Sequence, residues 1–341
     1  MIEYWSKVHL LGLKSSPAVA NTGVRFAVRD QPPSNGSAWI TEDDLLDPLH
    51  LNATRSQDPI EKTLAEGFYV DDLLTSQPTE EDALRLIKTA ISRLKRYDLN
   101  LCKVITNSQL VRQSYPPKDP LPEVISYQQL NPTDPTEDST SLGLQWHIKQ
   151  DTFSIKMEHK NCPKTRRGFL SYTMAVYDPQ GIAAPLMLTC KLLQRELFPP
   201  KDADPHCIHH LGWDDPIPIM FHDKWDTMID TCKETKDLSI PRPFYPRGHG
   251  IPMQQQLHAF ADASDLAWCY VIYLRTVTTD KQVHVAFVCG NNTILPKGVC
   301  VKGQLSIPRC ELNATHVLAK KVLEVEQALD LPKDICLLTI Y

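Results

Sequence analysis

The chain has 341 residues, a length that suits about two or three domains of ordinary size. Hydrophobic residues make up 42% and charged residues 23%, a globular balance. No apolar run is long enough to cross a bilayer, and the first residues, MIEYWSKVHLLGLKSS, lack the basic start, apolar stretch and small-residue cleavage site of a secretory signal. The ten cysteines are scattered singly with no CxxC pair, so reduced thiols in the cytoplasm or nucleus, not a secreted disulfide framework, are expected. The net charge of −5 argues against a wholly basic nucleic-acid-binding surface but leaves room for a local basic face.

In chain order, residues 1–30 read as a loop followed by a helix, and 31–60 as polar and irregular. In GFYVDDLLTS (67–76) two short apolar runs flank an acidic pair, the pattern of a strand-turn-strand hairpin with Asp71 and Asp72 at its tip. Thr79 followed by Asp82 suggests a helix start, and Leu84, Ile87, Ile91 and Leu94 recur at helical spacing, so 80–97 is predicted to be an amphipathic helix. Residues 114–140, rich in proline and polar side chains, read as a long loop. LGLQWHIKQDTFSI (142–155) alternates around KQDT and predicts a second hairpin. Residues 165–198 read as mostly helical, broken at AVYDPQGIAAP, and 199–256 as proline-rich and poorly patterned. Beyond 257, LHAFADASDLAWCYVIYL and VHVAFVCG have strand composition. Pro308 opens a helical run to about residue 328, and ICLLTIY reads as a buried strand.

Two constellations could carry chemistry. The first is Asp71 and Asp72: a turn that presents carboxylates can hold Mg²⁺, a hard cation that prefers oxygen ligands, although an acidic pair in a turn is also ordinary solvated surface. The second joins Asp262, placed between apolar neighbours in FADASDLAW and expected to be buried, with Glu311, one turn into the helix opened by Pro308. The plainer reading makes Asp262 a turn cap and sets Glu311 near a positive helix N-terminus. His206, Cys207, His209 and His210 have metal-capable side chains but no second pair at finger spacing. Lys160, Lys164, Arg166 and Arg167 could meet phosphates or simply form a solvated helix entry.

HLLGLKSSPAVAN, YVDD, LNLCKVITNS and LGLQWHIKQDTFSI, in this order, resemble the reverse transcriptases of BEL/Pao retrotransposons, and the similarity continues through TRRGFLSYTMAVYDPQGIAAPLMLTCKLLQREL and LGWDDP. The resemblance implies an α+β chain: a partial reverse-transcriptase palm over 1–156, a thumb- or connection-like helical region over 157–250, and a truncated ribonuclease H-like α/β domain over 251–341. It implies that Gly12, Ser16, Pro17 and Lys103 contact template and nucleotide, with Lys103 on a strand. Leu142, Gly143 and Trp146 would grip the primer, and Asp71, Asp72, Asp262 and Glu311 would be catalytic Mg²⁺ or Mn²⁺ ligands. The implied partners are an RNA/DNA template-primer or an RNA–DNA hybrid, with no membrane. Leu11 and Val104 stand where the family usually has aromatic residues. The first palm aspartate has no counterpart before Gly12, and the ribonuclease H aspartate of a Thr-Asp-Ser context has none before Tyr341, so each site is expected to lack a carboxylate, with no primer extension by this chain. The alternative is a non-catalytic nucleic-acid-binding or scaffold protein that keeps the fold.

Overall fold

The computed structural model describes residues 16–28, 59–69, 72–101, 104–115, 139–141, 144–155, 162–197, 211–234, 238–245, 250–295, 306–329, 331 and 336–340. The chain divides into two compact units, Met1–Thr133 and Asp134–Tyr341.

The first unit contains helix α1 (Ser16–Ala27), helix α2 (Pro59–Gly67), strands β1 (Phe68–Tyr69) and β2 (Asp72–Leu73), helix α3 (Glu80–Lys95) and helix α4 (Gln109–Ser114). The predicted strand pairing forms: Phe68 pairs with Leu73 and Tyr69 with Asp72 in antiparallel register, so Asp72, expected at the tip, belongs to β2, and Asp71 lies outside the described residues. Its base closes when Leu74 N–H donates to the Gly67 carbonyl at 2.9 Å. Helix α3 starts at Thr79, whose Oγ1 accepts from Asp82 N–H at 3.1 Å and donates to the Asp82 carboxylate at 2.8 Å. The apolar stripe of α3 buries Leu86, Ala90 and Leu94 against Phe68 of the hairpin and against Ala27, Val28, Leu64 and Ala65. Arg93, although buried, reaches the Val28 carbonyl at 2.7 Å, and this satisfies part of its guanidinium.

Two expectations fail in this unit. Residues 59–60, read as irregular, open α2, where Pro59 takes the first helical position and needs no N–H partner. Leu101 and Val104–Asn107 are not in a strand, so the described part of the segment holding Lys103 does not form the predicted one.

The second unit begins with a small antiparallel sheet in the order β3 (Ser139–Ser141), β4 (Leu144–His147), β5 (Thr152–Ile155) and β6 (Ser239–Pro241). The β4–β5 hairpin matches the second predicted hairpin. Three helices follow: α5 (Arg166–Met174), α6 (Ala184–Leu197) and α7 (His222–Glu234), the last continuing a 3₁₀ turn at Ile219–Phe221. Their core packs Phe169, Leu193, Leu197, Trp225 and Met228, with Phe169 edge-on to Trp225. Helix α7 falls in the stretch read as poorly patterned.

The remainder forms a four-stranded sheet from β7 (Pro252–Ala263), β8 (Ala267–Thr278), β9 (Val283–Ile294) and β10 (Cys336–Ile340), with helix α8 (Ile307–Ala328) between β9 and β10. The strand order is β10-β7-β8-β9: β7, β8 and β9 form an antiparallel meander, and β10 lies parallel to β7. A parallel strand reached through a helix needs such a crossover. Helix α8 buries Leu318, Val322 and Val325 on Leu257, Ala259, Tyr270, Ile272 and Leu274 of one sheet face.

Candidate nuclease site at one end of the sheet

Asp262 is the penultimate residue of β7, opposite Cys269 of β8. The β7–β8 turn is held by Ser264, whose Oγ accepts from Leu266 and Ala267 N–H at 3.1 and 3.2 Å. Ala263 N–H donates to Asp262 Oδ1 at 2.8 Å, which orients the carboxylate. The sequence expectation of a buried Asp262 is corrected: the side chain is exposed. Strand alternation turns Leu257, Ala259 and Ala261 towards α8 and Gln256, His258, Phe260 and Asp262 to the other face. No desolvation penalty is therefore placed on this carboxylate.

Glu311 is the fifth residue of α8 and is also exposed. Because β9 and β10 both run parallel to β7, α8 must run back against them, and its N-terminal turns lie at the end of the sheet where β7 finishes. Asp262 and Glu311 thus share one end of the sheet, but Asp262 lies on the face turned away from α8, which bears Glu311, and among the described residues no group of three or more metal-capable side chains comes together. β10 pairs beside the strand bearing Asp262: Ile340 is opposite Ala259, three residues short of Asp262.

The face carrying Asp262 is covered on its β9 side and open on its β7 side. Over β9 lies the YDPQG turn. Asp178 accepts from the N–H groups of Gly181, Ile182 and Ala183 at 2.8–2.9 Å and so opens α6. Gly290 N–H donates to the Gln180 carbonyl at 2.8 Å. Lys191 of α6 donates to the Asn292 carbonyl and Oδ1 at 2.8 and 2.9 Å, and Asn292 Nδ2 donates to the Ala184 carbonyl. Burial draws the Lys191 pKa below the usual lysine value, partly offset by Asp178. On the open side, Phe260, Tyr273, His258, Arg275 and Val285 line a shallow concavity of about 330 Å³. The Cys269 thiol beside Asp262 is held above its ordinary pKa by burial and then by the Asp262 charge.

The other predicted residues are placed as follows. Asp72 is exposed on β2, next to the hairpin turn; Asp71 lies outside the described residues. Ser16 and Pro17 open α1, whereas Gly12 and Lys103 lie outside the described residues. Trp146 sits on β4; Leu142 and Gly143 lie outside. The Trp146 indole donates to Asp151 Oδ1 at 3.0 Å and is covered by the Arg242 guanidinium, 5.6 Å from the ring centre. Arg242 also makes a forked pair with the Asp151 carboxylate at 2.5 and 2.8 Å. Much of the basic stretch is engaged inside the protein: Lys164 pairs with Asp226, Arg167 with Asp214, and Arg166 caps the carbonyls of Leu197 and Leu211. Lys160, His206, Cys207, His209 and His210 lie outside the described residues.

A meander of three strands, a crossing helix and a parallel return strand make up this part of the chain. The sequence matches the family described as Pao retrotransposon-like RNaseH-like domain over residues 165–339, and the chain belongs to that family. Among solved structures, one resembling chain is the foamy viral protease-reverse transcriptase dRH in complex with double-stranded DNA, at 9% identity and a TM-score of 0.37, covering 80% of this chain and 45% of that one. A second is the foamy viral protease-reverse transcriptase in complex with double-stranded DNA, at 12% identity and a TM-score of 0.35, covering 97% of this chain and 51% of that one. The chain thus spans about half the length of these structures. No curated protein matches it. No described helix is long and apolar enough to cross a membrane.

Proposed function

We propose that the end of the β7–β10 sheet is a divalent-metal nuclease site that acts on the RNA strand of an RNA–DNA hybrid, with Asp262 and Glu311 as metal ligands. The observation that supports this reading is the parallel pairing of β10 with β7 across the α8 crossover, which brings the strand end bearing Asp262 and the first turns of α8 to the same end of the sheet. Asp262 and Glu311 are each an exposed carboxylate, an oxygen donor of the kind Mg²⁺ or Mn²⁺ takes. The ion would supply charge for the phosphoryl oxygens and lower the pKa of a bound water. The protein's part is positioning: the Ala263 N–H fixes one Asp262 oxygen, and Asp262 Oδ2 forms no bond among the described residues.

In the same reading the first unit derives from the palm of an RNA-directed DNA polymerase. Asp71 and Asp72 would be its metal-binding hairpin, and Gly12, Ser16, Pro17 and Lys103 would face template and nucleotide. Leu142, Gly143 and Trp146 would meet the primer, with Trp146 acting through the surface that Arg242 leaves accessible. The hairpin pairing of Tyr69 with Asp72 supports the first of these assignments.

The test is Mg²⁺-dependent cleavage of an RNA–DNA hybrid by the 341-residue chain and by the same chain carrying Thr-Asp-Ser after Tyr341. Cleavage in either protein that is lost in Asp262→Asn and in Glu311→Gln supports the reading. Cleavage that survives Asp262→Asn refutes it. Hybrid binding without cleavage by either protein favours the non-catalytic nucleic-acid-binding alternative.

A further inference from the structure

Lys191 is a cation that the proposed nuclease chemistry leaves unexplained. It is half-buried, and among the described residues it forms no ion pair. An ammonium has three donors, and two of those on Lys191 go to Asn292. Asp178, whose charge acts on Lys191, already spends its oxygens on three backbone N–H groups. A partly desolvated cation held by neutral groups alone is costly unless an anion completes its shell.

Its place on the sheet says which anion. Asn292 is opposite Cys269, and Cys269 is opposite Asp262. Residues in direct register point to the same face, so Asp262, Cys269 and Asn292 form one lateral row, and Lys191 stands at its far end. Two inter-strand spacings separate the Asp262 and Asn292 backbones, about 10 Å. The row lies on the face turned away from α8, beside the open concavity of Phe260 and Tyr273.

We propose that Lys191, held in place by Asn292, contacts a backbone phosphate of the nucleic-acid strand whose neighbouring phosphate reaches Asp262. This rests on the nuclease reading of Asp262. The competing role for Lys191 is that of a structural pin between α6 and β9, and the two roles separate in their salt dependence.

The experiment measures binding of an RNA–DNA hybrid to the full chain by fluorescence anisotropy, with Ca²⁺ replacing Mg²⁺, across a tenfold range of NaCl. Each phosphate contact contributes about 0.7–0.9 to the slope of log affinity against log salt. Lys191→Gln is expected to lower that slope by this amount, so that its affinity falls about 5- to 8-fold less than wild type over the range. Lys191→Arg is expected to keep the wild-type slope. Asn292→Asp, which neutralises the ammonium without removing it, is expected to lower the slope as Lys191→Gln does, and it carries the test if Lys191→Gln does not fold. A reduced Tm with an unchanged slope in the neutral variants makes Lys191 a pin only and overturns the proposal. Absence of hybrid binding by the wild-type chain at low salt overturns the nuclease reading, and this proposal with it.

Discussion

Replacing Gly181 by alanine tests whether the YDPQG turn is what fastens the helical region to the sheet. Gly181 has φ of +79°, a conformation that costs a residue with a Cβ about 1–2 kcal/mol. A Cβ there would also stand 1.8 Å from the Gly290 carbonyl oxygen and 2.6 Å from its carbon, both backbone atoms of β9. No rotamer relieves such a contact, so the turn or the strand must withdraw by more than 1 Å. That withdrawal breaks the hydrogen bond from Gly290 to Gln180, and the Lys191–Asn292 contacts lie two residues further along the same strand. One lost bond adds about 1 kcal/mol, giving a total of about 2–3 kcal/mol. For a unit of this size that lowers Tm by about 4–12 °C. The assay is thermal unfolding by far-UV circular dichroism, with amide exchange on β9 as the local readout. A Tm within about 2 °C of wild type with unchanged protection at Gly290 would refute the reasoning, because the backbone would then have absorbed the Cβ at no cost.

How much of this was legible in the sequence depends on which interactions are local. Helix α3 was readable because Thr79 and Asp82 form its start within four residues and Leu84, Ile87, Ile91 and Leu94 recur at helical spacing, although the stripe that is buried is Leu86, Ala90 and Leu94. The β7–β8–β9 meander was readable from β-branched and aromatic composition, and α8 from Pro308 at its first turn. Helix α7 was missed although Trp225, Met228, Ile229 and Cys232 carry the spacing of a buried helical face. The prolines at 216, 218, 241 and 243 drew the whole segment towards a loop reading. Helix α2 buries little beyond Leu64 and Ala65, too few apolar residues to show a period. The exposure of Asp262 could not be read from FADAS, because small alanines on both sides do not say which face of the strand meets α8. The Asp262–Cys269–Asn292 row depends on the register of three strands, and the Lys191 contact joins residues 101 apart, and nothing local encodes either.

Two further predictions concern groups buried in the second unit. Tyr172 has its pKa raised, first by burial and then by the thiols of Cys232, Cys190 and Cys162. A raised pKa means its contribution is complete below the unfolded value near 10 and is lost as pH climbs above it. Between pH 10 and 12 wild-type stability should therefore fall more steeply than that of Tyr172→Phe, by up to about 1.4 kcal/mol per pH unit. Urea midpoints measured under reducing conditions decide this, and parallel curves would refute it. The last prediction concerns Asp151, which has φ of 55°, a conformation asparagine tolerates, so Asp151→Asn removes charge while leaving backbone and shape in place. The carboxylate takes the Trp146 indole and both arms of Arg242, at side-chain exposures of 20% for each ion. Half-buried charge-assisted bonds are weakly screened, so the loss should be about 1.5–3 kcal/mol and nearly independent of NaCl. Arg242 directly follows β6 and Trp146 is on β4, on either side of β5, so this one carboxylate, in the β4–β5 turn, links the ends of three strands. A double-mutant cycle with Trp146→Phe should then show a coupling of about 1 kcal/mol. Additive losses would mean that the indole only lies near Asp151 without being held by it, and Trp146 would then be available to a nucleic-acid strand rather than committed to the sheet.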